Sequence, residues 1–335
     1  MATTMRGWQF NSGSGPMEKN LSIPSSGIPI PSIKKDEVLV ESHATALNPI
    51  DYKILELPIV ARLVFSGITP GLDVYGRVAK VGSSVTSFKE GDIVYGGLAP
   101  GGKHGALAEY LPVPQNLLAK VPQDLKGDDI VSIASVAMTV YAALKPYAKP
   151  GNKVFINGGS GGTGTNAIQL AKILGYHVTV SCSTKNIDLV KSLGADEVID
   201  YTKGPVVQQL KDNGTIFDLV VDNVGAPADL YRVSSAFLRP EGKFIQVGIG
   251  MNFSAAVQFI SNKLSSFFSW GKREYIFVAG NASTATFEQL AAYMEQGKLR
   301  AIIDSTWEFS ELPKAYEKLK TGRAKGKVVV HVKDY

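Results

Sequence analysis

The residues best able to do chemistry begin where an apolar strand-like run ends. After Lys153-Val154-Phe155-Ile156-Asn157 comes Gly158-Gly159-Ser160-Gly161-Gly162-Thr163-Gly164, in which positions 159, 161 and 164 fit G-x-G-x-x-G. Glycines at this spacing let bare backbone approach a pyrophosphate, and a helix opening at the loop turns its unpaired N–H groups toward that charge. The run reads as a dinucleotide-binding turn, with a tight turn for helix–strand packing as the plain alternative. The same residues satisfy G-x-S-x-G, the nucleophile elbow of an α/β-hydrolase, with Ser160 as nucleophile and Asp222 and His331 following in order. Against that reading, His331 lies inside Val328-Val329-Val330-His331-Val332, where a histidine is more often an ordinary strand residue than a base.

The end of the next strand bears on the choice of dinucleotide. An NAD site wants an acid there, about 20 residues beyond the loop, to accept the ribose 2′-hydroxyl. This chain has Ser181-Cys182-Ser183-Thr184-Lys185-Asn186 instead. No carboxylate repels a 2′-phosphate, and Ser183, Lys185 and Asn186 offer hydroxyl, ammonium and amide donors, so NADPH is expected over NADH. An ordinary Ser/Asn helix cap is the alternative. Tyr201, just past the third strand, is placed to stack on or bond to the same end of the cofactor.

These residues need strands and helices to hold them. Up to about position 122 the pattern is short strands broken by turns, at 37–42, 77–81 and 93–95. From 128 to 147 an apolar helical stretch takes over, and strands at 153–157, 177–182, 197–199, 217–222, 242–247 and 274–278 then follow, with helices at 163–174 and 187–193. Strands separated by helices imply a parallel, doubly wound sheet covered on both faces. The tail carries two more helical stretches and a final strand at 328–332 that returns to the first domain.

The chain has 335 residues, 44% hydrophobic and 19% charged, enough for about two domains and too apolar for disorder. One cysteine and four histidines exclude an internal disulfide and a Cys-rich zinc module, so metal-free chemistry is expected. A formal charge of +5 without a basic run argues against nucleic acid and for a small-molecule substrate. The first ten residues lack an apolar leader core, and nowhere do eighteen uncharged apolar residues run together. A soluble, cytoplasmic protein without a membrane span is expected.

Several motifs agree on one family. Asn48-Pro49-Ile50-Asp51, Gly71-Leu72-Asp73-Val74-Tyr75-Gly76-Arg77-Val78, Phe88-Lys89-Glu90-Gly91-Asp92-Ile93-Val94, the glycine loop, the run from Ser192 to Tyr201 and Asp222-Asn223-Val224-Gly225 resemble the medium-chain dehydrogenases/reductases. Within them the chain is similar to the zinc-free, zeta-crystallin-like quinone oxidoreductases, particularly the chloroplast-envelope branch. The resemblance implies an α/β fold: a GroES-like, β-rich catalytic domain (1–123 with 281–335) and an inserted Rossmann domain (124–280). It also implies NADPH in an interdomain cleft and a homodimer. Zinc-dependent relatives carry a ligand histidine in Gly-His-Glu, where this chain has Gly71-Leu72-Asp73, and their four-cysteine lobe has no counterpart between Tyr95 and Glu109.

On the same resemblance, Asn48, Tyr52 and Lys53 are the candidate hydrogen-bond donors for catalysis, with Lys53 standing where the family has a tyrosine. Besides Gly159, Ser160, Gly161, Gly162, Thr163 and Gly164, it assigns to the cofactor Thr139, Asn223, Val224, Gly248, Ile249, Phe277, Val278 and Lys327. Without zinc to polarise a carbonyl, hydride transfer relies on positioning and on donors aimed at the developing charge. Conjugated acceptors suit that arrangement, so quinone or α,β-unsaturated carbonyl reduction is expected. Reduction of simple carbonyls and a cofactor-binding regulatory protein are the alternatives. Finally, Phe253, Val257, Ile260, Leu264, Phe267 and Phe268 make an apolar stripe at helical spacing. It reads either as a face packed on its domain or in a dimer interface, or as a cleft cover or peripheral membrane contact aided by Lys263, Lys272 and Arg273.

Overall fold

The valines that alternate after Asp36 need a partner sheet to bury them, and they find one. In a computed structural model of the chain, which describes residues 3–12, 15–57, 64–147, 149–248, 253–268, 273–278, 280 and 282–333, Glu37–Ala46 is a ten-residue strand at the heart of a seven-stranded sheet. Asp73–Val81 and Tyr110–Pro114 pair with it antiparallel, and Ile93–Gly97 and Leu118–Lys120 extend the sheet beyond Asp73–Val81. Val38, Val40, Val74, Val78 and Val94 meet on the inner face with Phe88 and Leu111. The final strand, Lys327–His331, returns to this sheet, antiparallel to Glu37–Ala46 and parallel to Ile303–Glu308.

Contacts divide the chain into two compact units, 1–138 with 282–335, and 139–281. The division falls inside the helix Gly127–Leu144, some residues beyond the expected start of the inserted domain at 124. That helix with the turn after it is long and apolar enough to cross a membrane by length and composition, yet 67% of the window is buried in the protein, as for a core helix.

The second unit holds a six-stranded, wholly parallel sheet in the order Glu197–Asp200, His177–Cys182, Lys153–Asn157, Phe217–Asp222, Leu238–Gln246 and Glu274–Phe277. Numbered along the chain this is 3-2-1-4-5-6, so the order reverses between the first and fourth strands, the place where such sheets bind dinucleotides at their carboxyl ends. Phe155, Phe217, Phe237, Phe244 and Tyr275 fill one face. Each such ring buried contributes roughly 2–3 kcal/mol through area removed from water.

The apolar stripe forms the expected helix, Phe253–Phe268, but turned about from the expectation of a packed face. Asn262 and Ser266 point inward, whereas Val257, Ile260, Leu264, Phe267 and Phe268 are exposed. The inward polar groups have a reason in the backbone they meet: Ser266 Oγ accepts the Tyr275 N–H at 2.9 Å. Met251, Trp270 and Lys272 lie outside the described residues.

Candidate active site

The glycine loop is built by close approach. A Cβ on Gly159 would stand 1.9 Å from Val180 Cγ2, and one on Gly164 2.0 Å from the Gly158 carbonyl oxygen, so both glycines are fixed by helix–strand contact. Gly161 differs: a Cβ there would meet nothing within 4 Å, and this residue caps the helix Gly162–Ile173. Open space at the positive end of a twelve-residue helix is what a phosphate requires. Ser160 and Thr163 are partly exposed at this end, and Gly162 O is bound by Asn166 Nδ2 at 2.8 Å.

Under the loop lies a buried polar network. Ser181 Oγ accepts from Gly158 N at 2.9 Å and donates to Asn157 Oδ1 at 2.7 Å. Asn157 Nδ2 donates to Asp222 Oδ1 at 2.9 Å, and Gln246 Nε2 to Asp222 Oδ2 at 3.0 Å. Asp222 also accepts the N–H groups of Val224 and Gly225, each at 3.0 Å, so its carboxylate caps the turn after its strand. Burial still holds its carboxyl above the ordinary value. Four strand ends are thereby tied together with all four side chains buried. Sequence reasoning passed over Asn157, Ser181 and Gln246, although a polar residue closing each apolar strand was the available signal.

Around this floor several polar atoms are buried without a hydrogen-bond partner: Ser183 Oγ, Asn186 Oδ1, and both amide atoms of Asn223. Leaving such atoms unpaired costs about 1–3 kcal/mol each, so they mark where a polar ligand belongs. Asn186 Nδ2 donates to Ser160 Oγ at 2.8 Å, linking the phosphate loop to the second strand's end, where Lys185 is exposed. Tyr201 is exposed just beyond. The nearby carboxylate, Asp200, faces the Thr184 hydroxyl at 2.5 Å and the Thr202 N–H at 3.0 Å, and these bonds hold it below its ordinary pKa. Val224 is half exposed, and Gly248 is a close-approach glycine whose Cβ would lie 1.9 Å from Asn223 O. Phe277 is partly exposed beside Phe259, and the Val278 N–H donates to Gln246 O at 3.0 Å. Thr139 is half-buried on its helix, and Ile249 lies outside the described residues.

In the first unit, Asn48 opens the short helix Pro49–Lys53, and its N–H donates to Asp51 Oδ2 at 2.8 Å. Its amide is committed on both sides. Nδ2 donates to Ala46 O at 3.1 Å and to Asp73 Oδ2 at 3.0 Å, while Oδ1 accepts Lys327 Nζ at 2.6 Å. Lys327 also reaches Asp73 Oδ2 at 3.1 Å, and Asp73 Oδ1 accepts the Ser135 N–H at 2.9 Å. The result is a fully buried Lys–Asp pair with every oxygen engaged. Asp51 is buried beside it. Burial first and the Asp73 charge second push its carboxyl up to about 7. Tyr316, against Asp51, is held well above the usual phenol range by burial and by that carboxylate.

Tyr52 packs with its ring under the Lys320 ammonium, 5.0 Å from the centroid, and burial raises its pKa. Burial lowers that of Lys53. A pocket of about 30 Å³ is lined by Ile50, Asp51, Leu55, Leu72 and Leu98 among others. Through Thr69 and His104 it adjoins a groove of about 380 Å³ that reaches Ile28, Ile30 and Lys103. Burial and the Lys103 charge hold His104 below its ordinary pKa.

The glycine loop on a 3-2-1-4-5-6 sheet has counterparts among known proteins. Residues 34–123 match the alcohol dehydrogenase GroES-like domain and residues 193–330 the zinc-binding dehydrogenase model. A trans-enoyl reductase from Aspergillus terreus is 40% identical over 98% of this chain and 97% of its own. The chain belongs to the medium-chain dehydrogenase/reductase superfamily, in its quinone oxidoreductase-like family. A mitochondrial NAD(P)H oxidoreductase from Danio rerio is 33% identical over 94% of this chain and 87% of its own length. The quinone oxidoreductase structure from Coxiella burnetii, 29% identical, superposes with a TM-score of 0.84 over 98% of this chain and 99% of its own. This member of the superfamily is therefore an oxidoreductase with a nicotinamide cofactor, and the unpaired atoms at the loop fit that group.

The zinc in the name of the matched dehydrogenase domain does not fit the donors at Leu72 and Asp73. Leu72 presents hydrocarbon where a ligand histidine stands in zinc-dependent relatives, and the neighbouring Asp73 is saturated by an ammonium and two amides. The hydrolase alternative also fails. Asp222 is spent on the turn and on two amides, and His331 Nε2 lies 2.9 Å from the carboxylate of Asp128.

Proposed function

We propose that this protein is an NADPH-dependent, zinc-independent reductase of α,β-unsaturated carbonyl compounds or quinones, acting as a cytoplasmic homodimer. The observation that carries the reading is Leu72, a hydrocarbon where zinc-dependent relatives have a ligand, beside an Asp73 carboxylate already paired with Lys327 and Asn48. A simple ketone wants a Lewis acid for hydride attack, whereas a conjugated acceptor spreads the incoming charge onto an oxygen that weaker donors stabilise. The bound dinucleotide supplies the hydride. The open helix end at Gly161 and the unpaired groups of Asn223 orient it, and Ser183, Asn186 and Lys185 supply donors for a 2′-phosphate.

In the first unit Asn48, both of whose amide hydrogens are committed, is a positioning residue for Lys327. Lys53, whose pKa is lowered by burial, is the better candidate to give a proton to the substrate. The name of the Aspergillus terreus relative, a trans-enoyl reductase, agrees with a conjugated acceptor. The test is oxidation of NADPH and NADH with panels of enones, quinones and simple ketones. Turnover of the conjugated acceptors, with NADPH preferred by at least about tenfold, is the expected result. Equal turnover of simple ketones would favour the carbonyl reductase, and cofactor binding without turnover of any acceptor the regulatory protein.

A further inference from the structure

Asp51 and Tyr316 form a buried pair that the chemistry described so far does not use. Asp51 is on the helix Pro49–Lys53 and Tyr316 on the helix Leu312–Lys320, and they are 5 and 0% exposed. Asp51 Oδ2 accepts the Asn48 N–H at 2.8 Å. The two side chains lie against each other, yet Asp51 Oδ1 and Tyr316 Oη are each buried without a hydrogen bond of ordinary geometry. Around the phenol the core is apolar, with Leu47, Leu55, Leu312 and Val330 in one cluster with it. Charge reaches Asp51 from two further elements. Asp73 begins the strand Asp73–Val81 and Lys327 the last strand, and the two are bonded at 3.1 Å. The Asp73 charge opposes ionisation of Asp51 and the Lys327 charge favours it. A buried carboxylate with an unfilled oxygen is costly, so burial tips the balance toward the neutral acid and pushes the carboxyl up to about 7. The Asn48 N–H and the Tyr316 hydroxyl pull the other way, because each bonds the charged form better.

Asp51 also helps to line the pocket walled by Ile54, Leu55 and Leu72. Leu72 stands where zinc-dependent relatives have their ligand, so the reacting oxygen of an acceptor belongs beside it. When hydride bonds to the β-carbon of a conjugated acceptor, the electron pair of its C=C bond moves toward the carbonyl oxygen. Negative charge then grows in the pocket until a proton follows. We propose that Asp51 is a positioning residue that gates this pocket by its charge: as a neutral acid it tolerates the growing enolate, as a carboxylate it opposes it, and Tyr316 sets where the change falls. A second negative charge in the wall, at an effective dielectric constant of about 20, slows the reaction by about tenfold or more.

The gate rests on the reductase reading above. Its test is kcat and kcat/KM for an enone with NADPH between about pH 5 and pH 9, in the wild type, Asp51→Asn, Tyr316→Phe and Lys53→Ala, each shown folded across that range by circular dichroism. Wild-type turnover is expected to fall at least about tenfold as pH rises through about 7. Asp51→Asn, which keeps an oxygen for the Asn48 N–H, loses the fall. Tyr316→Phe moves it to higher pH, because the phenol no longer bonds the charged form. Lys53→Ala is slower throughout with the fall unchanged. A merely structural Asp51 would lower the curve without altering its shape. Infrared titration of the folded wild type adds a readout that needs no turnover: a protonated carboxyl band that disappears near neutral pH and is missing from Asp51→Asn. That band and the Tyr316→Phe shift decide the matter if Asp51→Asn does not fold. A fall that survives Asp51→Asn, or that vanishes in Lys53→Ala instead, overturns the gate, as does a flat wild-type profile or the absence of the band. No turnover of any acceptor at any pH overturns the reductase reading and the gate with it.

Discussion

Two buried carboxylates share one cluster, and Lys327 is bonded to Asp73. Asp51 accepts the Asn48 N–H, and burial with the nearby Asp73 charge raises its carboxyl to about 7 from 3.8. A group whose folded pKa is raised stabilises most below its unfolded value, and that contribution is lost as pH rises through the folded one. Wild-type stability is therefore expected to fall between about pH 4 and pH 7, with Asp51→Asn flattening the fall by on the order of 1–3 kcal/mol in urea titrations. Parallel curves for the two proteins would place the titrating group elsewhere. The neighbouring pair Tyr52 and Lys53 divides in the same way. Because the Tyr52 ring is held under Lys320, Tyr52→Phe is expected to keep kcat within about twofold, while Lys53→Ala lowers it at least about tenfold. Unchanged turnover in both would remove side-chain proton donation from the mechanism.

At the scale of the element, the glycine loop combines two demands that one spacing conceals. Gly159 and Gly164 answer to packing, and Gly161 to an open helix end. Gly159→Ala and Gly164→Ala are expected to cost about 1–3 kcal/mol of stability through overpacking. Gly161→Ala is expected to leave the melting curve in place and weaken NADPH binding about tenfold, since its Cβ enters only the phosphate's space. Calorimetric melting and cofactor titration of the three variants check this, and an unstable Gly161→Ala would make all three glycines structural. The motif was fully legible in the sequence. The division of labour within it was not, because contacts with Val180 and the Gly158 carbonyl arise only when strand and helix pack.

For the whole molecule, the unpaired atoms of Ser183, Asn186 and Asn223 mean that the cofactor completes the second unit. A ligand that binds only the folded chain stabilises by about 2.7 kcal/mol at a hundred times its Kd. NADPH is thus expected to raise Tm more than NADH at equal concentration, with Lys185→Glu bringing the two shifts together. Equal shifts in the wild type would return the second strand's end to the role of a plain helix cap.

Much of this architecture was written in local pattern. Alternating valines, apolar runs closed by polar residues, and a glycine turn between strand and helix each follow from the two periods of side-chain direction, so the strands at 153–157, 177–182 and 217–222 were readable before any contact was known. The turned-about helix at 253–268 was not, because its amphipathic period is the same whichever face is buried, and only the unpaired backbone of the last strand selects the polar side. Nor was the Asn48–Asp73–Lys327 cluster, whose members lie 25 and 254 residues apart and are joined only when the last strand pairs with Glu37–Ala46. By itself the sequence determined the elements, the nucleotide turn and the leucine in place of a zinc ligand. The tertiary structure alone decided which charges meet and which apolar face is left bare, because burial and long-range pairing are properties of the packed chain.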